Sequence, residues 1–514
     1  MIQRDGHCTS LWQNGETAYK PAPITDTKDF DVIVAGGGIT GISTALLMAE
    51  RGKRCLVLEA RELCFGTTGG TTAHINTLLD TPYATIAKNF GKDNAKATAQ
   101  AAQDALQLIR SNVSRLNIDC GFSEADAYLF AQNGDQDKTL QQLLDATVDA
   151  GVEAFAANNI PLPIPFTTAM RVKGQAKFHP VKYVFALARA FESLGGAILQ
   201  QTRVTGVENN ADGVTVETSQ GRFVAKDLIY ATHIPPGVNL LHLRCVPYRS
   251  YAMAVTLSDE AYPEDLSYDM EDPYHYYRTQ MVNGQPYLIA GGKDHKTGET
   301  ANAAAHFTQL ESHIRKYFNV KEISYKWSSQ YFEPADGLPY IGHLPGQQEH
   351  IYVATGFGGN GMTYSNVAAI LLRDLVAKGA AQYETLFDPN RIKPVAGFKS
   401  FISHNADVVK QFVSKLLPHE DLKQLADMAP GEGKVVSYED EKIAIHKDGK
   451  GGIHAVSPVC THLQCEVKWN NAELSWDCPC HGARYDPDGN VLTGPASMSL
   501  EAAPMEKALE HSKK

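Results

Sequence analysis

Residues 36–41 read GGGITG, and their setting constrains this chain more than any other feature. An apolar, β-branched run, FDVIVA (30–35), leads into them. ITGISTALLMAER (39–51) follows with helical periodicity, and CLVLE (55–59) reads as a second strand ending in Glu59. Strand, tight turn, helix and strand make one βαβ unit, with Gly36, Gly38 and Gly41 on the three positions of the dinucleotide fingerprint. Gly36 permits the turn, Gly38 lets a pyrophosphate approach the backbone, and Gly41 lets the helix pack on the strand. Ile39 and Thr40 open the helix, whose free N–H groups and positive end suit phosphate. Glu59 is placed to accept hydrogen bonds from ribose hydroxyls, and Ala60 and Arg61 continue that wall.

The fingerprint alone does not separate FAD from NAD. Three later segments do. Residues 66–72 (GTTGGTT, with Gly66, Thr67 and Thr68) form a polar glycine-rich loop. A strand-like stretch from 202 to 230, which includes Val204 and a turn at 211–213, ends in IYAT with Thr232. GFGGNG at 356–361 (Gly356, Gly358, Gly359, Asn360, Gly361) opens a late helix at Met362, and a helix N-terminus there suits the flavin N1/C2=O edge. With GGGITG and Glu59, the segments ATHIPP (231–236), DGLPYIG (336–342) and TGFGGNGM (355–362) make the chain from about 30 to 380 resemble the FAD-dependent oxidoreductases of the D-amino-acid oxidase, glycine oxidase and sarcosine oxidase superfamily. The resemblance implies an α/β, Rossmann-like FAD domain, discontinuous in sequence, and a substrate domain on an antiparallel sheet. It also implies oxidation of a C–N bond of an amine or amino acid by hydride transfer to flavin.

At 514 residues the chain has room for about three domains. Its net charge of −11 argues against nucleic acid, whose phosphates need clustered cations. No apolar run approaches the roughly 18 residues a membrane span needs. The first 20 residues lack an apolar signal region, so a cytoplasmic protein is expected. Residues 93–116, 136–150, 181–194 and 361–378 read as helices, and 243–293 holds several strands. Residues 1–29 are an extension and 30–385 the flavoprotein. Its FAD segments fall at about 30–90, 180–240 and 330–385, its substrate domain mainly at 91–179 and 241–329. A proline-punctuated linker (386–429) carries a helix at 404–417, and a small all-β domain occupies 430–514.

Four of the nine cysteines crowd into that last domain, which carries CTHLQC at 460–465 and CPCHG at 478–482. Cys460, His462, Cys478 and His481 could hold a tetrahedral zinc, or a [2Fe–2S] cluster with thiolates on one iron and imidazoles on the other. The flanking strands favour the cluster. Residues 430–505 closely resemble the Rieske proteins of cytochrome bc complexes. That resemblance implies a disulfide between Cys465 and Cys480, and a third loop at Gly494-Pro495-Ala496 over the cluster. Ala483 stands where those proteins usually carry serine, Gln464 replaces a common glycine, and Tyr485 is kept. A lower potential is expected, since the serine hydroxyl would otherwise donate to a sulfide.

Catalytic candidates are less defined. His74 reads as a covalent flavin anchor or as a neutral structural histidine. Arg278 reads as a carboxylate clamp or as an arginine on a sheet rim. Tyr274, Tyr276 and Tyr277 could wall a pocket or fill the core, and Lys293 reads as a surface lysine. Together the sites suggest a flavin dehydrogenase of amines or amino acids, wired through the cluster to an external acceptor or redox partner protein. The alternatives are an NAD(P)H-driven reductase feeding an oxygenase, and a non-catalytic electron-transfer protein.

Overall fold

The computed structural model describes residues 3–24, 29–346, 349–391, 420–421, 428–438 and 441–503. The helix expected at 404–417 lies outside these residues. Among those described, no helix is long and apolar enough to cross a membrane.

The FDVIVA run forms strand Asp29–Ala35 at the centre of an eight-stranded sheet, buried on both faces as a central parallel strand should be. Cys55–Leu58 and Ala197–Leu199 continue the sheet in parallel on one side, Gly221–Tyr230 and Ile351–Thr355 on the other. The hairpin Val204–Asn210/Gly213–Thr218 turns where the sequence predicts it and pairs onto Gly221–Tyr230. Helix Ile39–Ala49 is buried at all eleven residues, packed against Pro180–Ser193 and Gly361–Lys378. That close packing depends on glycine. A Cβ on Gly41 would stand 1.9 Å from the Gly36 carbonyl oxygen, and one on Gly36, at φ +114°, would stand 2.4 Å from that of Ala231.

A nine-stranded sheet stands beside the first, in the order Val320–Pro334, Cys245–Leu257, Gln285–Lys296, His275–Val282, Leu266–Asp269, Ser123–Ala131, Thr168–Lys177 and His74–Ile75, with Ala154–Ala157 paired to Thr168–Lys177. It is antiparallel except at one junction: Leu266–Asp269 runs parallel to Ser123–Ala131. Helices Lys92–Arg115 and Gly134–Asp149 match the amphipathic stretches of the sequence.

The C-terminal module is two four-stranded sheets. It is seated on the flavin body by a buried ion network that also captures the N-terminal segment. Arg4 pairs with Glu473 at 3.2 Å, and Glu473 also accepts from the Ser328 amide and hydroxyl at 2.8 Å. Arg484 donates to the Asp5 carbonyl oxygen at 2.6 Å and pairs with Asp477 at 3.1 Å. Arg249, from the large sheet, approaches Asp477 at 3.8 Å. Nearby, Trp12 is fully buried and donates its indole N–H to the Thr71 carbonyl. The extension is therefore a strap between the two bodies.

Candidate functional site

The strand ends, the two glycine-opened helices and the large sheet enclose one long cavity. Of the proposed cofactor residues, Gly36, Gly38, Ile39, Thr40, Glu59, Ala60, Arg61, Gly66, Thr67, Thr68, Val204, Thr232, Gly358, Gly359, Asn360, Gly361 and Met362 line it. Gly41 and Gly356 do not: the first lies under the turn, and the second makes a bend at φ +73° against Cys245 and Pro334. Neither Gly38 before Ile39–Ala49 nor Asn360 before Gly361–Lys378 caps its helix with a side chain, and of the first-turn amides that of Ile39 donates to Thr68 Oγ1 at 3.1 Å. Glu59 accepts from the Gly37 and Arg61 amides, each at 2.7 Å. Burial pushes its carboxyl up, while those amides and the charges of Arg203 and Arg61 pull it back. A narrow glycine turn, two helix N-termini and an anchored carboxylate fit a dinucleotide.

The other end of the cavity has a different character. Asp80, Asp294, Tyr268, Tyr274, Tyr276, Tyr331, Ser250 and His74 line it. Asp80 accepts from the Gly359 amide at 2.6 Å and is hydrogen-bonded by Tyr274. Asp294 accepts from Ser250 at 2.5 Å and from Tyr331 at 2.8 Å, and Ser250 meets the Tyr276 hydroxyl at 2.9 Å. Burial pushes Asp80 and Asp294 up to about 6, the latter helped by the charge of Asp80. Glu333 follows Tyr331 and Phe332 on the same strand but is exposed and outside the cavity lining. None of these acids was singled out in the sequence. They come from three distant segments, and no local spacing joins them.

His74 lies in this wall between Tyr268 and Tyr276, its Nδ1 3.2 Å from Thr72 Oγ1 and its Nε2 buried without a partner. Burial drops it to about 3, so the imidazole is neutral. The clamp reading of Arg278 is corrected. Arg278 is fully buried below the cavity wall, its terminal nitrogens donate to the carbonyls of Thr72, Ala73 and Phe178 and to Gln280, and its guanidinium packs over Trp12. Both terminal nitrogens are committed to the framework, and Nε alone is buried without a partner. Tyr274 and Tyr276 face the cavity, and Tyr277 is buried in the core behind them.

In the module, the two motif loops repeat one turn. The Cys460 amide donates to Cys465 O and that of Cys478 to Ala483 O, both at 2.8 Å. Cys460 and Cys478 are buried and within hydrogen-bond reach of each other, which pulls the Cys460 thiol down to about 7. The His462 and His481 rings stand 5.0 Å apart. His462 donates from Nε2 to the Gly237 carbonyl at 3.0 Å, and its Nδ1 is buried without a partner. Metal-binding histidines are commonly fixed in this way through the other nitrogen, which leaves Nδ1 for iron. Cys465 and Cys480 form the disulfide. The Tyr485 hydroxyl stands 3.2 Å from Cys460 Sγ. Two thiols and two imidazoles at the tips of neighbouring loops fit a His-ligated [2Fe–2S] cluster.

The two sites adjoin. Thr232, His233, Ile234 and Pro236 line the flavin cavity, and the next residue, Gly237, accepts from His462. His242, from the turn that follows, puts its ring 4.5 Å from that of His462 and 5.8 Å from that of His481. The module's third loop also contributes Leu492, Thr493, Gly494, Ala496 and Ser497 to the cavity wall. It was expected only over the cluster. Ala496 shares an apolar cluster with Cys460 and Cys478, so the loop faces both sites. The histidine edges face inward, toward the flavin domain.

A flavin cavity joined through one loop to an iron–sulfur module defines a two-cofactor oxidoreductase. Residues 31–375 match the FAD dependent oxidoreductase family and residues 420–504 the Rieske [2Fe-2S] domain, so the chain belongs to the FAD dependent oxidoreductases and carries a Rieske domain at its C-terminus. It is 36% identical over 483 residues to YhfW of Bacillus subtilis (strain 168), named for a Rieske 2Fe-2S centre, with 94% of each chain covered. It is 26% identical over 400 residues to gamma-glutamylputrescine oxidoreductase of Escherichia coli (strain K12), covering 74% of this chain and 91% of that one. The fold also matches glycine oxidase from Geobacillus kaustophilus at a TM-score of 0.60, with 19% identity, over 71% of this chain and all of the other. The protein is an enzyme. Its first body binds FAD and its C-terminal module binds a [2Fe–2S] cluster.

Proposed function

We propose that the protein oxidises a C–N bond of an amine or amino acid and delivers the electrons through its own Rieske domain to an external acceptor. In that reaction the substrate carbon gives up a hydride, the nitrogen gives up a proton, and a C=N bond remains. When bound, FAD takes the hydride and the [2Fe–2S] cluster carries single electrons. The raised carboxylates of Asp80 and Asp294 are the groups lining the cavity that can take the proton.

The loop 232–237 is the observation that carries this reading. It walls the cavity with four residues and ends on the carbonyl that holds His462. Near this contact in the chain, Val238, Leu240, Val459 and Met498 are all exposed, at 69, 54, 40 and 65%. They flank the His462 contact in sequence, and Thr461 ties the two module loops by donating to Met498 O at 2.6 Å. Exposed apolar side chains beside a redox centre suit a brief encounter with a carrier protein.

The test is anaerobic mixing of the holoenzyme with amines, amino acids, NADH and NADPH, followed in the visible flavin and cluster bands. An amine or amino acid should bleach both bands, flavin first. Bleaching by a nicotinamide alone would overturn the reading. Met498→Asp should slow cluster reoxidation by a protein acceptor about tenfold and leave flavin bleaching unaltered.

A further inference from the structure

Among the described residues, the substrate end of the cavity has an unusual charge. Asp80 and Asp294 both line this end, close enough that the charge of Asp80 raises Asp294. No guanidinium or ammonium is among the charges acting on either. Arg61 and Arg203 line the cavity but act on Glu59, at the cofactor end. Arg278, the nearest candidate for a carboxylate clamp, is committed to backbone carbonyls. The remaining wall is phenolic: Tyr268, Tyr274, Tyr276 and Tyr331. Phenol faces attract cations, and a carboxylate brought here would meet like charge.

A second constraint comes from the reaction. The nitrogen that is oxidised must shed its proton before hydride leaves the adjoining carbon, so it is uncharged when it reacts. The cation that the two carboxylates attract must therefore be a different group of the same molecule.

We propose that the substrate is a diamine or polyamine, oxidised at one nitrogen while a second, still protonated, is held by Asp80 and Asp294, and that a free carboxylate is excluded. This rests on the C–N oxidation reading and specifies its substrate class. It distinguishes the cavity from one built for glycine-like acids, which need a cation where this wall supplies anions.

The experiment is anaerobic reduction of the holoenzyme by four probes: 1,4-diaminobutane, 1-aminobutane, 4-aminobutanoate and glycine. 1,4-Diaminobutane should bleach the flavin with kcat/KM ten- to a hundredfold above 1-aminobutane, the span of one charged hydrogen bond. 4-Aminobutanoate and glycine should be slower still. Asp80→Asn and Asp294→Asn should each collapse the diamine-to-monoamine ratio. The bis-trimethylammonium analogue of the diamine, which has no N–H to lose, should perturb the flavin spectrum of wild-type holoenzyme without bleaching it, and a spectrum it leaves unmoved counts against the site. Preferential bleaching by glycine or 4-aminobutanoate would overturn this substrate class and leave C–N oxidation standing. Bleaching by NADH or NADPH alone would overturn both.

Discussion

The cluster site and the substrate end of the cavity, joined through the loop at 232–237, treat their polar groups in opposite ways. Around the cluster, backbone and side chains are paired off almost completely: matched turns close both loops, Tyr485 covers a sulfur, and Gly237 takes the outer N–H of His462. What remains is a ligand atom such as His462 Nδ1. At the substrate end Asp80 and Asp294 are hydrogen-bonded by neutral groups, and burial, with the charge of Asp80 acting on Asp294, pushes them up to about 6. A site that holds a resident group is finished apart from that group. A site that exchanges its occupant keeps uncompensated charge in reserve.

The strongest way to break this contrast is to remove a cluster ligand. Cys478→Ser should abolish the iron–sulfur signal and reduce turnover with one-electron acceptors by more than about a hundredfold, and the flavin spectrum and its bleaching by substrate should persist. Loss of flavin as well would mean that the third loop, which lines the cavity, must be held by the cluster for FAD to bind.

Next in size is the network that seats the module. Glu473 is fully enclosed by Arg4, Arg249, Arg484 and Ser328, whose charges and hydrogen bonds outweigh burial and hold its carboxyl down at about 2. Glu473→Gln leaves those arginines without their counter-charge and should cost about 3–5 kcal/mol, read as an earlier urea midpoint. The pH dependence follows from the depressed value. The stabilisation is complete above the ordinary carboxylate value and is lost as pH falls toward about 2. The module should therefore stay seated throughout neutral and mildly acidic solution.

The carboxylates at the substrate end have the opposite sign. Asp80 and Asp294 are raised, so between the ordinary carboxylate range and about 6 the folded protein holds more protons than the unfolded chain. Across that window stability falls as pH rises, and a cationic ligand should recover it. Thermal midpoints with and without 1,4-diaminobutane should diverge from pH 5 to pH 8. Parallel curves would remove these acids from the binding site.

The same contrast explains what was legible in the sequence. The cluster ligands fall within 22 positions, Cys460 to His481, because one iron–sulfur group must be reached from two adjacent loops. The fingerprint is similarly compact, and Gly36 and Gly41 are required by backbone contacts under 3 Å. The acidic wall is assembled from 80 and 294, each an ordinary acid in its own segment. Arg278 misled because YHYYR looks the same whether the guanidinium meets a ligand or backbone carbonyls. The strap of residues 3–14 could not be read at all, since its partners, Thr71, Ser328, Glu473 and Arg484, lie far along the chain.

The smallest effect sharpens the cluster half of the contrast. Ala483 is buried in the turn that closes the second loop, where related Rieske sequences usually place serine, and Tyr485 supplies the hydrogen bond to Cys460 Sγ at 3.2 Å. A hydroxyl donated toward the cluster stabilises its reduced, more negative form. One such bond, at about 1 kcal/mol, corresponds to roughly 40 mV for a single electron. Ala483→Ser should raise the midpoint potential by about that amount, and Tyr485→Phe should lower it by a similar step, both read by redox titration of the holoenzyme. The upward shift should also slow electron release to a low-potential acceptor while leaving flavin bleaching unchanged. If Ala483→Ser leaves the potential where it was, the added hydroxyl has found a partner other than the cluster, and Tyr485 alone sets the hydrogen-bonding contribution on this side.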